Sequence, residues 1–215
     1  MDKFFIFSFP RSGLHLFSRI LGLNLYVNFD AMSNEGHVIN KIQNYQHKET
    51  LFTHQTLSMM STNLFDYIRN NTKPIFLYRD PKDSLISWFF LSNKNTPPNI
   101  SNIKSFLRSS FKHFPNRLLL WKYHVLEYQQ YIIDNNYLVI RYENLVQNFS
   151  ETKTMVENYL NTTILLDSIP PLKQVDMSRK GIIGDHLNYF DNDTINEINS
   201  VCEKEIKFID NYLIS

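Results

Sequence analysis

The segment Lys3-Phe4-Phe5-Ile6-Phe7-Ser8-Phe9-Pro10-Arg11-Ser12-Gly13-Leu14-His15 decides how the rest of the chain is read. Lys3 to Phe9 is a bulky apolar run that stops at a proline, the pattern of a strand buried on both faces. Apolar residues then recur at 14, 16, 17, 20, 21 and 23, so Leu14 to Leu23 is expected to be a helix. A strand turning straight into a helix aims free backbone N–H groups at one point, which suits a phosphate or sulfate. Gly13 permits close backbone approach. Arg11 adds a permanent cation with a bidentate fork, and Ser12 and His15 add hydrogen-bond donors. An ordinary strand–helix turn with a surface arginine is the competing reading of this segment alone. The loop is neither GxxxxGK[ST] nor GxGxxG.

Outward from that segment, short apolar runs alternate with longer helical patterns, which predicts an α/β fold with a central parallel sheet flanked by helices. Leu51 to His54, Ile75 to Tyr78 and Tyr137 to Arg141 are the further strands. Helices are expected over Asn63–Asn70, from Asp80-Pro81 to about Leu91, over 103–113 and 117–134, near 142–148 and 151–160, and from Asn192 to about Leu213. Asp80 suits a helix N-cap and Pro81 the first helical position. Residues 28–47 and Asn93–Asn102 read as polar loops, and 162–190 lacks periodicity. No linker divides the chain, so residues 1–215 are read as one domain.

Composition removes several classes. Seventeen Phe and twelve Tyr are too many for a disordered chain. Cys202 is the single cysteine, so no internal disulfide forms, and no Cys/His spacing suggests a metal site. A net charge of +1 gives no field for a nucleic-acid backbone. The apolar run Phe4–Phe9 is too short for a signal-peptide core, and Leu85–Leu91 is far short of the ~20 residues that cross a bilayer. A reducing cytosol is the expected setting.

Three segments, in order, resemble one family. Pro10-Arg11-Ser12-Gly13 looks like the 5′-phosphosulfate loop of sulfotransferases, enzymes that use 3′-phosphoadenosine 5′-phosphosulfate (PAPS). Tyr78-Arg79-Asp80-Pro81-Lys82-Asp83, with Ser87 eight residues after Arg79, resembles their 3′-phosphate motif. Arg179-Lys180-Gly181-Ile182-Ile183-Gly184-Asp185 is similar to their late RKGxxGD segment.

The resemblance implies a fold related to nucleotide kinases, PAPS as donor, PAP (3′-phosphoadenosine 5′-phosphate) as product, and no metal. It also implies roles. Arg11, where the family more often has Lys, contacts the sulfate and the bridging oxygen. Ser12, Gly13, Leu14 and His15 wrap the 5′-phosphate, although the family has hydroxyl residues at the last two places. Arg79 and Ser87 grip the 3′-phosphate; without the family match, Arg79 paired with Asp80 or Asp83 on the surface is the simpler reading. Arg179, Lys180 and Gly181 fold over the donor. Asp185 reads as structural, and His186 stands where a Trp is common. Tyr142, in an element similar to the family's YEDL, is either an adenine contact or a core residue.

Thr53-His54 looks like the family's KTH element with Phe52 in place of the Lys, which makes His54 the candidate general base. An imidazole suits removal of an alcohol proton near neutral pH. His37, in the polar loop, is the competitor; His113 and His124 fall on expected helices and read as structural. The implied reaction is in-line sulfuryl transfer to a hydroxyl-bearing acceptor, with residues 28–47 and 92–116 as candidate acceptor loops. A small-molecule kinase would need a Lys-bearing phosphate loop and a Mg²⁺-holding pair, both absent. A non-catalytic nucleotide binder of the same fold is the remaining alternative. The sequence carries no clear match to the family's dimer motif, and no oligomeric state is assigned.

Overall fold

A computed structural model describes residues 2–23, 25–31, 34–46, 49–171 and 181–212. Among these, β1 (Phe4–Ser8), β2 (Leu25–Asn28), β3 (Glu49–Thr53), β4 (Lys73–Tyr78) and β5 (Leu138–Arg141) form one sheet in the order β2-β3-β1-β4-β5. Every pairing is parallel. β1 is central and wholly buried, which is why it reads as an unbroken apolar run. Its side chains alternate between two cores: Phe5 and Phe7 face one layer, Phe4 and Ile6 the other.

The helices are α1 (Leu14–Ile20), α2 (Glu35–Gln43), α3 (Thr62–Asn71), α4 (Pro81–Ser92), α5 (Ile100–Arg108), α6 (Arg117–Asn135), α7 (Tyr142–Gln147), α8 (Phe149–Leu160) and α9 (Asn192–Tyr212). α4 begins as its sequence requires: Pro81 opens it and the Asp80 side chain accepts from Lys82 N at 2.8 Å. None of the described helices is long and apolar enough to cross a membrane.

Two expectations need correction. Residues 28–47 are not a loop throughout, because α2 lies within them. It buries only Val38 and Ile42, too thin an apolar stripe to stand out. The expected helix 103–113 starts earlier, at Ile100, and stops at Arg108. Arg117 ends it by donating to the carbonyls of Phe106 and Ser109, both at 3.0 Å. Phe111 and Phe114 then exchange backbone hydrogen bonds across a tight turn, with Lys112 in the left-handed region at φ 53°. His113 therefore sits in a turn rather than on a helix.

In a parallel sheet of this kind, ligands bind beyond the carboxyl ends of the strands where the order reverses. Here β1 leads outward to β2, the chain returns through β3, and it then crosses β1 to β4. The residues just past β1, β3, β4 and β5 include Arg11, His54, Arg79 and Tyr142.

Candidate active site

The loop between β1 and α1 is built by its backbone. Arg11 has φ 70° and Gly13 φ 98°, both in the left-handed region that a tight strand-to-helix turn demands. Ser12 N closes the turn on Phe9 O at 3.2 Å. A Cβ on Gly13 would come within 2.3 Å of the Tyr142 ring, so this position admits no side chain. Leu14 packs into the core beside α1's other apolar residues and offers the loop no polar side chain. The His15 ring packs at a tilt against that of Tyr26 of β2, centroids 4.4 Å apart.

Arg11, Ser87 and Arg79 come together around this loop. Arg11 Nε donates to Ser87 Oγ at 3.1 Å. Arg79 is buried, only 7% exposed, and lies over the Tyr142 ring with its guanidinium carbon 4.4 Å from the centroid. Its Nη2 donates to Ile182 O at 3.0 Å, and its Nη1 reaches Arg11 O at 3.5 Å. Tyr142 Oη donates to Gly181 O at 3.0 Å. Four separate stretches of sequence thus converge on one point. Arg179 and Lys180 lie outside the described residues. The alternative reading, Arg79 paired with Asp80 or Asp83 on the surface, holds only in its pairing: the Asp83 carboxylate stands 3.8 Å from Arg79, but Arg79 is enclosed.

That carboxylate has other partners, which sequence reading missed. Asp83 Oδ2 accepts from Gly184 N at 2.7 Å, and Oδ1 accepts from His186 N at 3.1 Å and lies 2.7 Å from His186 Nδ1. Burial works against its charge, but these bonds prevail and hold Asp83 below the usual carboxylate range. Position 186 therefore carries a residue whose ring pairs with Asp83. Glu143, also missed, joins α7 to α4 by accepting from Asp80 N at 3.1 Å and Arg141 Nε at 3.0 Å. A carboxylate inside each motif was the available signal.

His54 lies just past β3, half-buried, its ring 5.2 Å from that of Phe52. Its Nδ1 is 2.6 Å from Ser8 O, an acceptor, so Nδ1 carries the proton and Nε2 keeps its lone pair in the neutral ring. Burial lowers its pKa; Lys112 and Arg11 push the same way, while Asp30 and the Ser8 carbonyl oppose them. The net shift is downward, which leaves the ring neutral at pH 7. Asp30 is a third residue that sequence reading missed. His37 lies on α2 and is exposed. A cavity of about 180 Å³ opens beside the base segment, lined by Thr53, Gln55, Phe5, Phe29, Val38, Met59 and Leu64 among others.

Two buried polar atoms bear on whether a donor nucleotide fits. Among the described residues, Ser12 Oγ and Arg79 Nε find no hydrogen-bond partner. Buried polar groups are normally paired. Ser12 belongs to the loop itself and Arg79 Nη1 reaches the carbonyl of Arg11 in that loop, while Gly13, without a side chain, leaves its backbone open to close approach. The residues present fit a bisphosphorylated nucleotide.

The fold and this loop define a class. A family model described as the sulfotransferase domain matches residues 1–164, and the chain belongs to that family. Among curated proteins it is 25% identical over 146 residues to sulfotransferase 6B1 of Danio rerio, covering 58% of this chain and 48% of the relative. It is 22% identical over 171 residues to amine sulfotransferase of Oryctolagus cuniculus, covering 74% of this chain and 56% of the relative. The chain thus spans about half the length of the curated relatives it matches. Among solved structures it is similar to mouse sulfotransferase SULT7A1 complexed with PAP, with a TM-score of 0.71 at 17% identity over 99% of this chain and 88% of the other. Retinol dehydratase in complex with retinol and PAP gives a TM-score of 0.64 at 17% identity, over 95% of this chain and 81% of the other. These likenesses establish the fold.

Proposed function

We propose that the chain is a PAPS-dependent sulfotransferase that moves a sulfuryl group onto a hydroxyl of an acceptor. The observation that carries this reading is the meeting of Arg11, Ser87 and Arg79 beside a loop closed by Gly13 and Tyr142. PAPS supplies the activated sulfuryl group. Ser12, Gly13, Leu14 and His15 form the 5′ loop, Leu14 through its backbone N–H alone. Arg79 and Ser87 hold the 3′-phosphate, Tyr142 lies at the adenine side, and Arg179, Lys180 and Gly181 cover the nucleotide.

His54 is the general base. With Nδ1–H held by Ser8 O, Nε2 is left to take the acceptor's hydroxyl proton. Arg11 stabilises the charge that grows on the leaving phosphate oxygen, an electrostatic contribution preorganised by the loop. The cavity flanked by Thr53 and Gln55 takes the body of the acceptor, with Phe29 and the α2 residues Glu35 and Val38 forming one wall. The chain works as one domain over residues 1–215 in a reducing cytosol, with no nucleic-acid partner.

The test is ligand binding by thermal unfolding. PAP or PAPS at a hundredfold excess over its dissociation constant stabilises by about 2.7 kcal/mol. That is on the order of 5–10 °C for a chain of this size. ATP with Mg²⁺ is expected to shift the midpoint far less. A large shift with ATP and none with PAP would reverse the assignment in favour of a kinase.

A further inference from the structure

The register of β2 on β3 pairs Asn28 with Phe52, so the residues two beyond each, Asp30 and His54, arrive side by side. Asn28 Oδ1 accepts from Asp30 N at 2.9 Å and turns the chain at the strand end. Asp30 Oδ1 then accepts from Thr53 Oγ1 at 2.6 Å and from His54 N at 2.9 Å. Thr53 is fully buried, so this carboxylate ties down the last residue of β3 and the first residue past it. On the other side, Ser8 O holds the ring through Nδ1 at 2.6 Å. His54 is anchored by its backbone from one neighbouring strand end and by its ring from the other.

The charged and titratable groups around His54 come from four elements. Arg11 reaches it from the loop after β1, and Lys112 from the turn between α5 and α6. His124 of α6 is fully buried, and burial drives its pKa down to about 3, so it stays neutral. Both cations oppose the positive charge that the ring gains with a second proton. Asp30 supplies the opposing negative charge.

We propose that Asp30 is the positioning residue of the base: it fixes the β3 end under the imidazole and offsets the imidazolium formed during transfer. The proposal rests on His54 as the base. In that step the acceptor O–H bond breaks and the Nε2–H bond forms. The freed electron pair stays on the acceptor oxygen, which bonds to sulfur as the leaving phosphate oxygen departs with its own pair. Asp30 touches neither donor nor acceptor and acts through His54.

Asp30→Asn keeps an oxygen for both hydrogen bonds and removes the charge. An NMR titration of the His54 imidazole, assigned by the signals missing from His54→Ala, reads that charge directly and needs no acceptor. The expected result is a His54 pKa about one unit lower in Asp30→Asn than in wild type. The acid limb of kcat/KM, followed as PAPS conversion to PAP with 2-naphthol as probe acceptor, should move down by the same step. A purely structural aspartate would leave both unmoved. Asp30→Ser, which also retains an acceptor oxygen, is the second neutral variant should Asp30→Asn not fold. An unchanged titration in either folded variant overturns the pairing. Normal turnover in His54→Ala, with the titration still shifted, overturns the proposal through the base assignment instead, so the two failures are distinguishable.

Discussion

Gly13 and the ring of Tyr142 are packed so closely that a Cβ on Gly13 would lie 2.3 Å from Cδ2 and 2.9 Å from Cε2. One residue belongs to the first loop and the other begins α7, far apart in sequence. The same ring carries Arg79 on its face and reaches Gly181 through its hydroxyl. The missing side chain is what brings the first loop, Arg79 and the late glycine segment together.

Gly13→Ala is therefore expected to cost both backbone strain and a displaced ring. Gly22 isolates the first cost, since it also has positive φ, at 74°, but nothing lies within 4 Å of a Cβ there. Gly22→Ala should lose roughly 1 kcal/mol, and Gly13→Ala about 1–3 kcal/mol more from overpacking. Thermal unfolding of the two variants, with and without PAP, checks this. Gly13→Ala should also lose most of its stabilisation by PAP, whereas Gly22→Ala should keep it. Equal behaviour of the two variants would show that Tyr142 moves aside freely.

The Asp83 cluster predicts a particular pH dependence. Its bonds to Gly184 and His186 favour the ionised form and depress its pKa in the folded chain. A depressed carboxylate contributes stability above its unfolded value, near 3.8, and loses it as pH falls through the folded value. Wild type should therefore lose stability below about pH 4 more steeply than Asp83→Asn. Near neutral pH the variant should be the less stable of the two, because neutral bonds replace charged ones. Parallel stability curves for the two proteins across that range would remove Asp83 from the account.

Single side-chain deletions should separate base from donor contacts. His54→Ala is expected to lose about 10²–10⁴-fold in turnover while PAP affinity changes little. Arg11→Ala should weaken both, since Arg11 also donates to Ser87. Because burial lowers the His54 pKa, the acid limb of wild-type kcat/KM should have its midpoint below the ordinary imidazole value of 6.5. Normal turnover by His54→Ala on a genuine acceptor would send the search for the base to His37.

What could be read from the sequence follows a physical division. β1, β4 and β5 carry buried apolar runs and β3 a shorter one at Leu51-Phe52, and each leads toward a residue of the candidate site, so strand ends and chemistry were legible together. β2 was not, because it is an edge strand whose Leu25 and Asn28 are exposed and whose apolar run is short. Missing β2 hid Asp30, whose place beside His54 depends on strand register alone. Asp83 and Glu143 were visible within their motifs, but their partners lie 101 and 63 residues away, at Gly184 and Asp80. Local pattern identifies such a carboxylate without saying what it holds. The turn at Lys112 escaped for a different reason: Ile103, Phe106, Leu107 and Phe111 keep a helix-like spacing, but Arg117 caps the chain at Phe106 and Ser109.

The last prediction concerns donor selectivity. Arg79 and Ser87 lie on either side of the first turns of α4, and Arg11 Nε reaches Ser87 Oγ across the loop. Arg79 Nε is buried without a hydrogen-bond partner among the described residues. A 3′-phosphate would give that N–H and the Ser87 hydroxyl an anionic acceptor. Adenosine 5′-phosphosulfate has no such group and would leave the arginine enclosed as it is. Charged hydrogen bonds contribute roughly 1.5–3 kcal/mol each. Losing two of them should cost at least about 100-fold in affinity relative to PAPS. Arg79→Ala should erase most of that preference, because the variant no longer senses what the poorer donor lacks. The measurement is a two-by-two comparison of both nucleotides against wild type and Arg79→Ala. An equal loss of affinity for both nucleotides would mean that Arg79 supports the Tyr142 ring and the Ile182 carbonyl rather than reading the phosphate.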